Sequence, residues 1–218
     1  YMSAMFKRIL SVTLVFICIQ SAIHCQEKQF SYLVMGVPQY MLNNGLRIEL
    51  DIPRKEADKW LVLAPSFYQK RSSIDIGRSD NEYNKLMGGG LEVFAKQFLS
   101  HEKHGKGFYY AWGGGYRHFR IETSDFIWSS NTVDGLDWFE RRSEEISVRI
   151  HNLSARGVAG IQFFLYDHMP ADIYMGMGLQ YATHKNQEGN YLKFNSRSSD
   201  FGYTGTLFVI GFRLGVGW

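Results

Sequence analysis

Two histidines stand near residues that could support nucleophilic catalysis. His118 precedes Glu122 by four positions, and His151 is flanked by Ser147 and Ser154. A serine nucleophile needs a histidine base within hydrogen-bond reach and an acid that orients this base. On a strand, His151 and Ser154 would point to opposite faces because they are three residues apart, and His118 has no serine two residues away. The sequence therefore predicts no catalytic site, and both histidines are expected to be polar residues at one rim of the fold.

Metal chemistry finds equally little support. His101 and His104 are three residues apart, but neither a cysteine nor a third histidine is near them. The acids Asp75, Asp80 and Glu82 do not follow the spacing of a calcium-binding loop. We therefore expect no metal site.

Two glycine runs also fail as cofactor sites. MGGGLE (87–92) and WGGGYR (112–117) lack the Lys-Ser/Thr pair and the following helix of a phosphate-binding loop. Their glycines are better suited to sharp strand curvature, or to making room for bulky neighbours inside a barrel. We expect no cofactor.

Strands are the elements that must position these residues. In GLRIELDIP, leucine and isoleucine alternate with Arg47, Glu49 and Asp51, and similar alternation recurs along the chain. A composition of 22 Gly, 13 Tyr and 16 Phe with only 4 Pro also favours twisted strands. We predict about eight strands, the smallest size of a membrane barrel. They cover 29–37, 44–53, 59–69, 89–100, 108–122, 147–165, 171–184 and 204–218.

The connections between these strands alternate in length. Those at 53–59, 100–106 and 166–170 are short and polar. Those at 70–88, 123–146 and 185–200 are long. If the strands run up and down in order, all the long loops lie at one end, which is typical of an outer-membrane barrel with short periplasmic turns and long external loops.

The charged residues on the strands indicate which face points inward. In a soluble barrel they would face water around an apolar interior, whereas in a membrane barrel they line the lumen, where acids and bases pair and exclude a continuous pore. Both signs occur on the polar faces of the predicted strands, which favours the membrane barrel. The predicted lumenal charges are Arg47, Glu49, Asp51, Glu92, Lys96, Arg117, Asp172 and Arg213.

Aromatic residues lie towards the predicted strand ends, where a membrane barrel carries girdles at the two lipid interfaces. The predicted girdle residues are Trp60, Phe67, Tyr68, Tyr110, Trp112, Tyr116, Tyr181 and Trp218.

The N-terminal segment has the layout of a secretory signal peptide. Lys7 and Arg8 precede an apolar run from Ile9 to Ile19, and small and polar residues follow. A membrane anchor is less favoured because this run is shorter than the roughly 20 residues of a spanning helix. We predict a cleaved signal at 1–25 and a barrel domain at 26–218. Cleavage as a lipoprotein is disfavoured by His24, where a small residue is wanted.

Removal of this signal has two consequences for function. It takes away both cysteines, so that neither a disulfide nor thiol chemistry is expected. It also takes away two of the 24 basic residues, which leaves the mature chain nearly neutral against its 21 acidic residues. A neutral chain without a basic stripe is not expected to bind nucleic acid.

The last strand resembles the C-terminal strand of bacterial outer-membrane proteins, which ends on an aromatic residue and is recognised by the barrel-insertion machinery. The matching residues are Phe208, Ile210, Phe212, Leu214, Val216 and Trp218, with tryptophan in place of the commoner phenylalanine.

The chain from residue 26 onward resembles small OmpA/OmpX-like barrels. Within that group, the segment 157–182 is similar to a strand-turn-strand unit of outer-membrane barrels of Gram-negative bacteria, in which a glycine-aromatic strand and an Asp turn precede Asp-x-Tyr-x-Gly-x-Gly. The residues that carry this similarity are Gly160, Phe163, Asp167, Asp172, Tyr174, Gly176 and Gly178. The resemblance implies an outer-membrane barrel and no particular activity.

These observations predict an all-β, antiparallel up-and-down barrel of about eight strands in the outer membrane of a Gram-negative bacterium. We expect no enzyme and no bulk pore, but a role in envelope integrity or adhesion. The expected partners are outer-membrane lipids, the barrel-assembly machinery, and an external protein or glycan bound through loops 70–88, 123–146 and 185–200. The alternatives are a lipid A-modifying enzyme, a type known among eight-stranded outer-membrane barrels, and a secreted lipocalin-like binder.

Overall fold

A computed structural model describes the barrel region of the chain. It covers residues 31–218 except 57, 71–83, 100–104, 134–135, 187–193, 196 and 199. The predicted signal peptide and the histidines His101 and His104 lie outside the described residues, as do most of loops 70–88 and 185–200.

Eight antiparallel strands form one closed barrel, in which each strand pairs with its neighbours in sequence and β1 pairs with β8. The predicted fold class is therefore confirmed. The strands are β1 Leu33–Gly36, β2 Gly45–Pro53, β3 Lys59–Lys70, β4 Lys85–Phe98, β5 Gly107–Val133, β6 Leu136–Tyr166, β7 Met169–Asn186 and β8 Gly205–Gly217.

The first strand is shorter than the predicted 29–37. Pro38 begins a 3-10 helix, Pro38–Asn43, because its ring fixes φ near the helical value and its nitrogen cannot donate to a strand ladder. Asn44 ends this helix in the left-handed conformation with φ 56°, which asparagine tolerates better than most residues. The chain then turns back into β2.

The largest departure from the predicted elements is the segment 123–146, which was expected to be a loop. It is a continuous antiparallel hairpin, in which β5 and β6 pair from Thr123↔Ile146 to Val133↔Leu136. β4 and β7 stop pairing near Glu122 and Val148, so β5 and β6 continue beyond the barrel as a two-stranded ribbon. At about 3.3 Å per residue, this ribbon extends by about 35 Å.

We call the end of the barrel that carries this ribbon the hairpin end and the opposite end the turn end. The turn end carries the connections between β2 and β3, β4 and β5, and β6 and β7. Among the described residues, no helix is long and apolar enough to cross a membrane.

The two glycine runs provide space inside the barrel. Gly113 and Gly115 on β5 face inward directly opposite Phe94 and Glu92 on β4, and a Cβ at either glycine would collide with its partner. Eight strands enclose a space only just wide enough for side chains, so that large inward residues need small neighbours.

Candidate functional site

The eight charged residues predicted for the lumen all point into the barrel. Asp51 and Glu92 are 0% exposed and Lys96 is 1% exposed, while the Arg117 side chain keeps 14% of its surface. Together with Arg156, they form what we call the ionic network. Its members are Arg47, Glu49, Asp51, Glu92, Lys96, Arg117, Arg156, Asp172 and Arg213.

Lys96 organises the part of the network nearest the turn end. Its Nζ lies 2.9 Å from Asp51 Oδ2 and 3.5 Å from Asp172 Oδ2, and it donates to Gln162 Oε1 at 2.6 Å. The same Nζ sits 4.3 Å from the ring centroid of Tyr109, a cation–π contact. The ammonium is thus surrounded by acceptors in place of water.

Arg213 joins this group to the middle of the barrel. Its guanidinium lies 2.7 Å from Asp172 Oδ2 and also pairs with Glu49. It donates as well to the Tyr109 hydroxyl, which donates to Asp172 Oδ1 at 2.9 Å. A guanidinium suits this position because its planar fork has five donors, enough for several acceptors at once.

Arg47 continues the chain of ion pairs towards the hairpin end. Its Nε lies 2.7 Å from Glu49 Oε1, and its Nη1 pairs with Glu92 and donates to the Tyr40 hydroxyl at 2.8 Å. Glu92 also accepts from Arg156, so one carboxylate stands between two guanidinium groups.

Arg156 was missed in the sequence. The alternation of Asn152, Ser154 and Arg156 on β6 is its only signal, because the apolar positions of that segment are interrupted by small residues. Its partner position on β7 is Gly178, which leaves space for the arginine stem.

Arg117 completes the network near the hairpin end. Its Nη2 donates to Gln180 Oε1 at 2.8 Å, and its Nε lies 3.9 Å from Glu92 Oε1. Every charged residue of the network therefore has at least one partner of opposite sign, which buried charges require.

Apolar clusters fill the barrel interior next to the ionic network. Towards the turn end it is closed by large buried side chains, among them Trp60, Phe98 and Phe164. At the hairpin end, Phe119 and Ile150 belong to a second cluster. The remaining members of this second cluster are Tyr68, Leu86, Ile121, Ile146, Val148, Ala182 and Phe194.

The 3-10 helix packs against the interior from the hairpin end. Gln39 donates to the Tyr174 hydroxyl at 2.9 Å, and the Tyr40 ring lies 6.2 Å from the ring of Tyr68. A cavity of about 30 Å³ lies among residues of the network, including Arg47, Lys96 and Arg213. A cavity of this volume has room for only a few water molecules.

The outer surface has the opposite character over most of the barrel height. On β7, Ile173, Met175, Met177, Leu179 and Tyr181 point outward and are each more than half exposed. We call this outward apolar surface the belt. Its further members include Leu46, Ile48, Phe67, Leu91, Val93, Phe108, Tyr110, Trp112, Tyr116, Leu153, Phe208, Ile210, Phe212, Leu214, Val216 and Trp218.

Two residues of the predicted aromatic girdle are not on the belt. Trp60 and Tyr68 are 2% and 4% exposed and point into the barrel, because even-numbered positions of β3 face inward. The prediction was wrong for these two residues, since position near a strand end does not fix the face. The other predicted girdle residues point outward.

The residues of the predicted insertion signal all lie on the belt. They alternate with inward positions of β8, whose pairing with β1 closes the barrel. The Trp218 ring contacts the Tyr32 ring edge-on at a centroid distance of 4.5 Å. Recognition by insertion machinery stays a prediction.

Polarity inverts along the strands towards the hairpin end. On β5, Trp112 and Tyr116 point outward among apolar neighbours. The next outward residues along the strand are His118, Arg120 and Glu122. Inside the barrel, the ionic network ends at Arg117 and the apolar cluster of the hairpin end begins at the next inward position. The same strands thus have an apolar outer surface in one half and a polar outer surface in the other, while buried apolar clusters lie inside both halves.

The two candidate catalytic histidines lie on the outer surface at this transition. His118 and His151 are direct cross-strand partners with ring centroids 4.6 Å apart, and Tyr116 Oη lies 2.6 Å from His151 Nδ1. Ser154 points into the barrel and is buried, whereas Ser147 is about 13 Å from His151 along the strand. Neither serine is within hydrogen-bond reach of His151.

Metal ligands do not converge in the described part of the chain, where no group of three or more His, Cys, Asp or Glu side chains could hold an ion.

Comparisons with known proteins find similarity in structure. No protein-family model matches the chain, and no curated protein sequence matches it. The chain is similar to the crystal structure of Acinetobacter baumannii CarO, with a TM-score of 0.44 and 10% identity over 88% of this chain and 98% of that chain. It is also similar to Acinetobacter baumannii CarO2, with a TM-score of 0.39 and 12% identity over 87% and 98% of the two chains. The site is therefore interpreted from its own residues.

Proposed function

We propose that this protein is an integral outer-membrane barrel of a Gram-negative bacterium, with a structural or surface-interaction role and no bulk pore. The observation that carries the proposal is the belt. Exposed apolar residues on a soluble protein are normally scattered, and a continuous patch of several hundred Å² marks contact with a partner or a membrane. Here the apolar surface is found on β2, β3, β4, β5, β6, β7 and β8.

The height of the belt supports insertion into lipid. On β7 it runs from Ile173 to Tyr181, close to the 9–11 residues of a typical transmembrane strand. A closed barrel also satisfies all backbone hydrogen bonds between strands, which the hydrocarbon core of a membrane demands.

The filled interior supports a role without bulk diffusion. The cavity within the ionic network has room for only a few water molecules, and a solute path through the network would need its ion pairs to separate. The closer kinship to OmpA/OmpX-like barrels stays a prediction.

The alternative functions have less support. A lipocalin-like binder needs an apolar interior that holds a ligand, whereas the middle of this barrel holds paired charges. A lipid A-modifying enzyme of the serine type needs a nucleophile beside its histidine, whereas Ser147 and Ser154 both lie out of reach of His151.

The two-stranded ribbon extends the proposed external surface. An exposed hairpin that projects from a rigid barrel is suited to contact with a partner protein or glycan. We keep loops 70–88, 123–146 and 185–200 as the proposed partner surface, with the ribbon in place of the middle loop.

The proposal is tested by fractionating cells that express the full chain and by comparing boiled and unboiled samples on a gel. We expect a band in the outer-membrane fraction that needs detergent and migrates faster without boiling. Planar bilayers containing the folded protein should show no stepwise conductance. A soluble periplasmic or secreted protein without a gel shift would overturn membrane insertion, and sustained conductance would overturn the closed lumen.

A further inference from the structure

A row of basic side chains crosses three strands on the outer surface. Arg120 on β5 is the direct partner of Arg149 on β6, which is the direct partner of Lys185 on β7. All three side chains are exposed and point outward. We call them the cationic row.

Such a row is electrostatically unfavourable without an anion. Directly opposite side chains on neighbouring strands have Cβ atoms about 5 Å apart, and like charges in such pairs are destabilising. Glu122 offsets part of the charge, since it lies 3.3 Å from Arg120, but it also pairs with Lys85 at 3.1 Å. One carboxylate is thus shared by Arg120 and Lys85, while Arg149 and Lys185 add two further positive charges.

The position of the row indicates where its anion comes from. The last apolar positions of the belt on these strands are Tyr116, Leu153 and Tyr181, which are paired in register. The cationic row lies four residues further towards the hairpin end, or about 13 Å along tilted strands. The polar headgroup layer on each side of a bilayer is about 5–8 Å thick. With strands tilted by about 40°, the row lies roughly 10 Å above the last belt residues, at the outer edge of this layer. Its long side chains reach the headgroups from there.

The direction of the side chains narrows the choice of ligand. They point sideways from the barrel wall into the plane of the membrane, where a lipid is the neighbour of the barrel. Guanidinium groups bind phosphate oxygens in bidentate geometry, and ammonium groups add charge. One row of paired residues lies between the belt and the cationic row on these strands. It includes His118 and His151 and contains no acidic residue.

We propose that the cationic row binds phosphate groups on a glycolipid of the outer leaflet. The proposal rests on membrane insertion as argued above, and it names the lipid chemistry that the outer surface recognises. The lipid phosphates replace the missing counter-charges, and the acyl chains lie against the belt below.

The test uses full-length folded protein in detergent micelles containing lipid A with its phosphates, dephosphorylated lipid A, or neither. Binding is measured from the rise in melting temperature as lipid is titrated, because a ligand that binds only the folded state stabilises it. The variant R149Q/K185Q should bind the phosphorylated lipid about thirtyfold more weakly than the unmodified protein. The variant R149K keeps the charge and should lose far less.

A matched control removes two basic side chains from the turn end. Arg54 and Lys55 are exposed there, and R54Q/K55Q changes the net charge of the protein by the same amount. We expect its lipid titration to match that of the unmodified protein. The unboiled gel shift reports folding for each variant. If R149Q/K185Q fails to fold, the single variant K185Q carries the comparison, and it should bind the phosphorylated lipid about fivefold more weakly than the unmodified protein.

Three results would overturn the proposal while leaving membrane insertion intact. The first is equal binding of phosphorylated and dephosphorylated lipid, and the second is equal binding of the phosphorylated lipid by R149Q/K185Q and R54Q/K55Q. The third is full displacement of the bound lipid by equimolar inorganic phosphate, which would make the ligand a free anion. Loss of the gel shift in the unmodified protein would instead contradict the proposed function itself.

Discussion

The two halves of this barrel have outer surfaces of opposite polarity on the same strands. In the half towards the turn end, ion pairs lie inside and Met177 and its neighbours lie outside. In the half towards the hairpin end, Phe119 and Ile150 lie inside and Arg120 and Arg149 lie outside. Strand geometry is the same in both halves, so the difference between their outer surfaces is what the proposed insertion of one half into lipid predicts.

This comparison places the proposed membrane boundary within a few residues. A half with an apolar outer surface is stable in lipid, and a half with a polar outer surface over an apolar interior is stable in water. On β5 the change occurs between Tyr116 and Phe119. The proposed function therefore depends more on this change in the polarity of the outer surface than on barrel closure, since soluble barrels also close.

The largest expected effect comes from breaking the ionic network. Glu49→Leu leaves Arg47 and Arg213 without a shared carboxylate, and Arg213→Leu leaves Glu49 and Asp172 short of a partner. Removing one member of a buried ion pair costs about 3–5 kcal/mol because the remaining charge is uncompensated. We expect either variant to lower the free energy of unfolding in detergent by this amount, measured by urea titration, and to lose heat resistance on a gel.

The matched control for this experiment is Glu56→Leu. Glu56 pairs with Lys59 at the turn end, but its side chain is 65% exposed, so that water replaces the lost partner. Unchanged heat resistance in both Glu49→Leu and Arg213→Leu would contradict a structural role for the network.

A smaller effect is expected from a charge placed on the outer surface, and it should depend on the half. Met177 and Thr183 lie on β7, both point outward and both are exposed. Met177→Arg should destabilise the protein by about 2–4 kcal/mol in lipid bilayers, as for arginine on the lipid face near the midplane. Thr183→Arg should change stability little, because water and headgroups solvate it.

The free energy of unfolding of each variant is measured by urea titration in vesicles. The comparison is direct because both variants place an arginine on the same strand. Equal free energies of unfolding for the two variants would mean that both positions are surrounded by the same medium. That result would remove the proposed membrane boundary between them.

The sequence predicts the barrel well because strand alternation is a local property. The alternation around Arg47, Glu49 and Asp51 indicates both the strand and the inward face. Glycines opposite large residues, as at Gly115, agree with a narrow interior. Strand limits were within four residues of those observed except at the 123–146 hairpin.

The errors in assigning residues to a face share one cause, which is that alternation has a phase as well as a period. Trp60 and Tyr68 were placed on the outer girdle from their position near strand ends, but their even positions on β3 point inward. The change along β5 was missed because Trp112 and Phe119 are both large aromatic residues, although the first points outward and the second points inward. Arg156 was missed because its β6 segment lacks regular apolar positions, which leaves its alternation with Asn152 and Ser154 as the only signal in the sequence.

The smallest expected effect concerns the interior of the hairpin half, and it depends on pH. His184 points inward there on β7, and its Nε2 is buried without a hydrogen-bond partner among the described residues. Burial lowers the pKa of His184, because a charged imidazolium would lose solvation. The unfolded chain, with a pKa of about 6.5, then binds the proton more readily than the folded protein does.

The sign of the pH dependence follows from this difference. The contribution of neutral His184 to stability is fully present above pH ~6.5 and is lost as the pH falls from there towards the lower pKa of the folded state. We expect the urea midpoint to fall modestly between pH 7.5 and pH 5.5, and this fall should be smaller in His184→Gln, which does not titrate. Identical pH profiles would show that His184 is solvated, and therefore that the interior of the hairpin half admits water where the turn half excludes it.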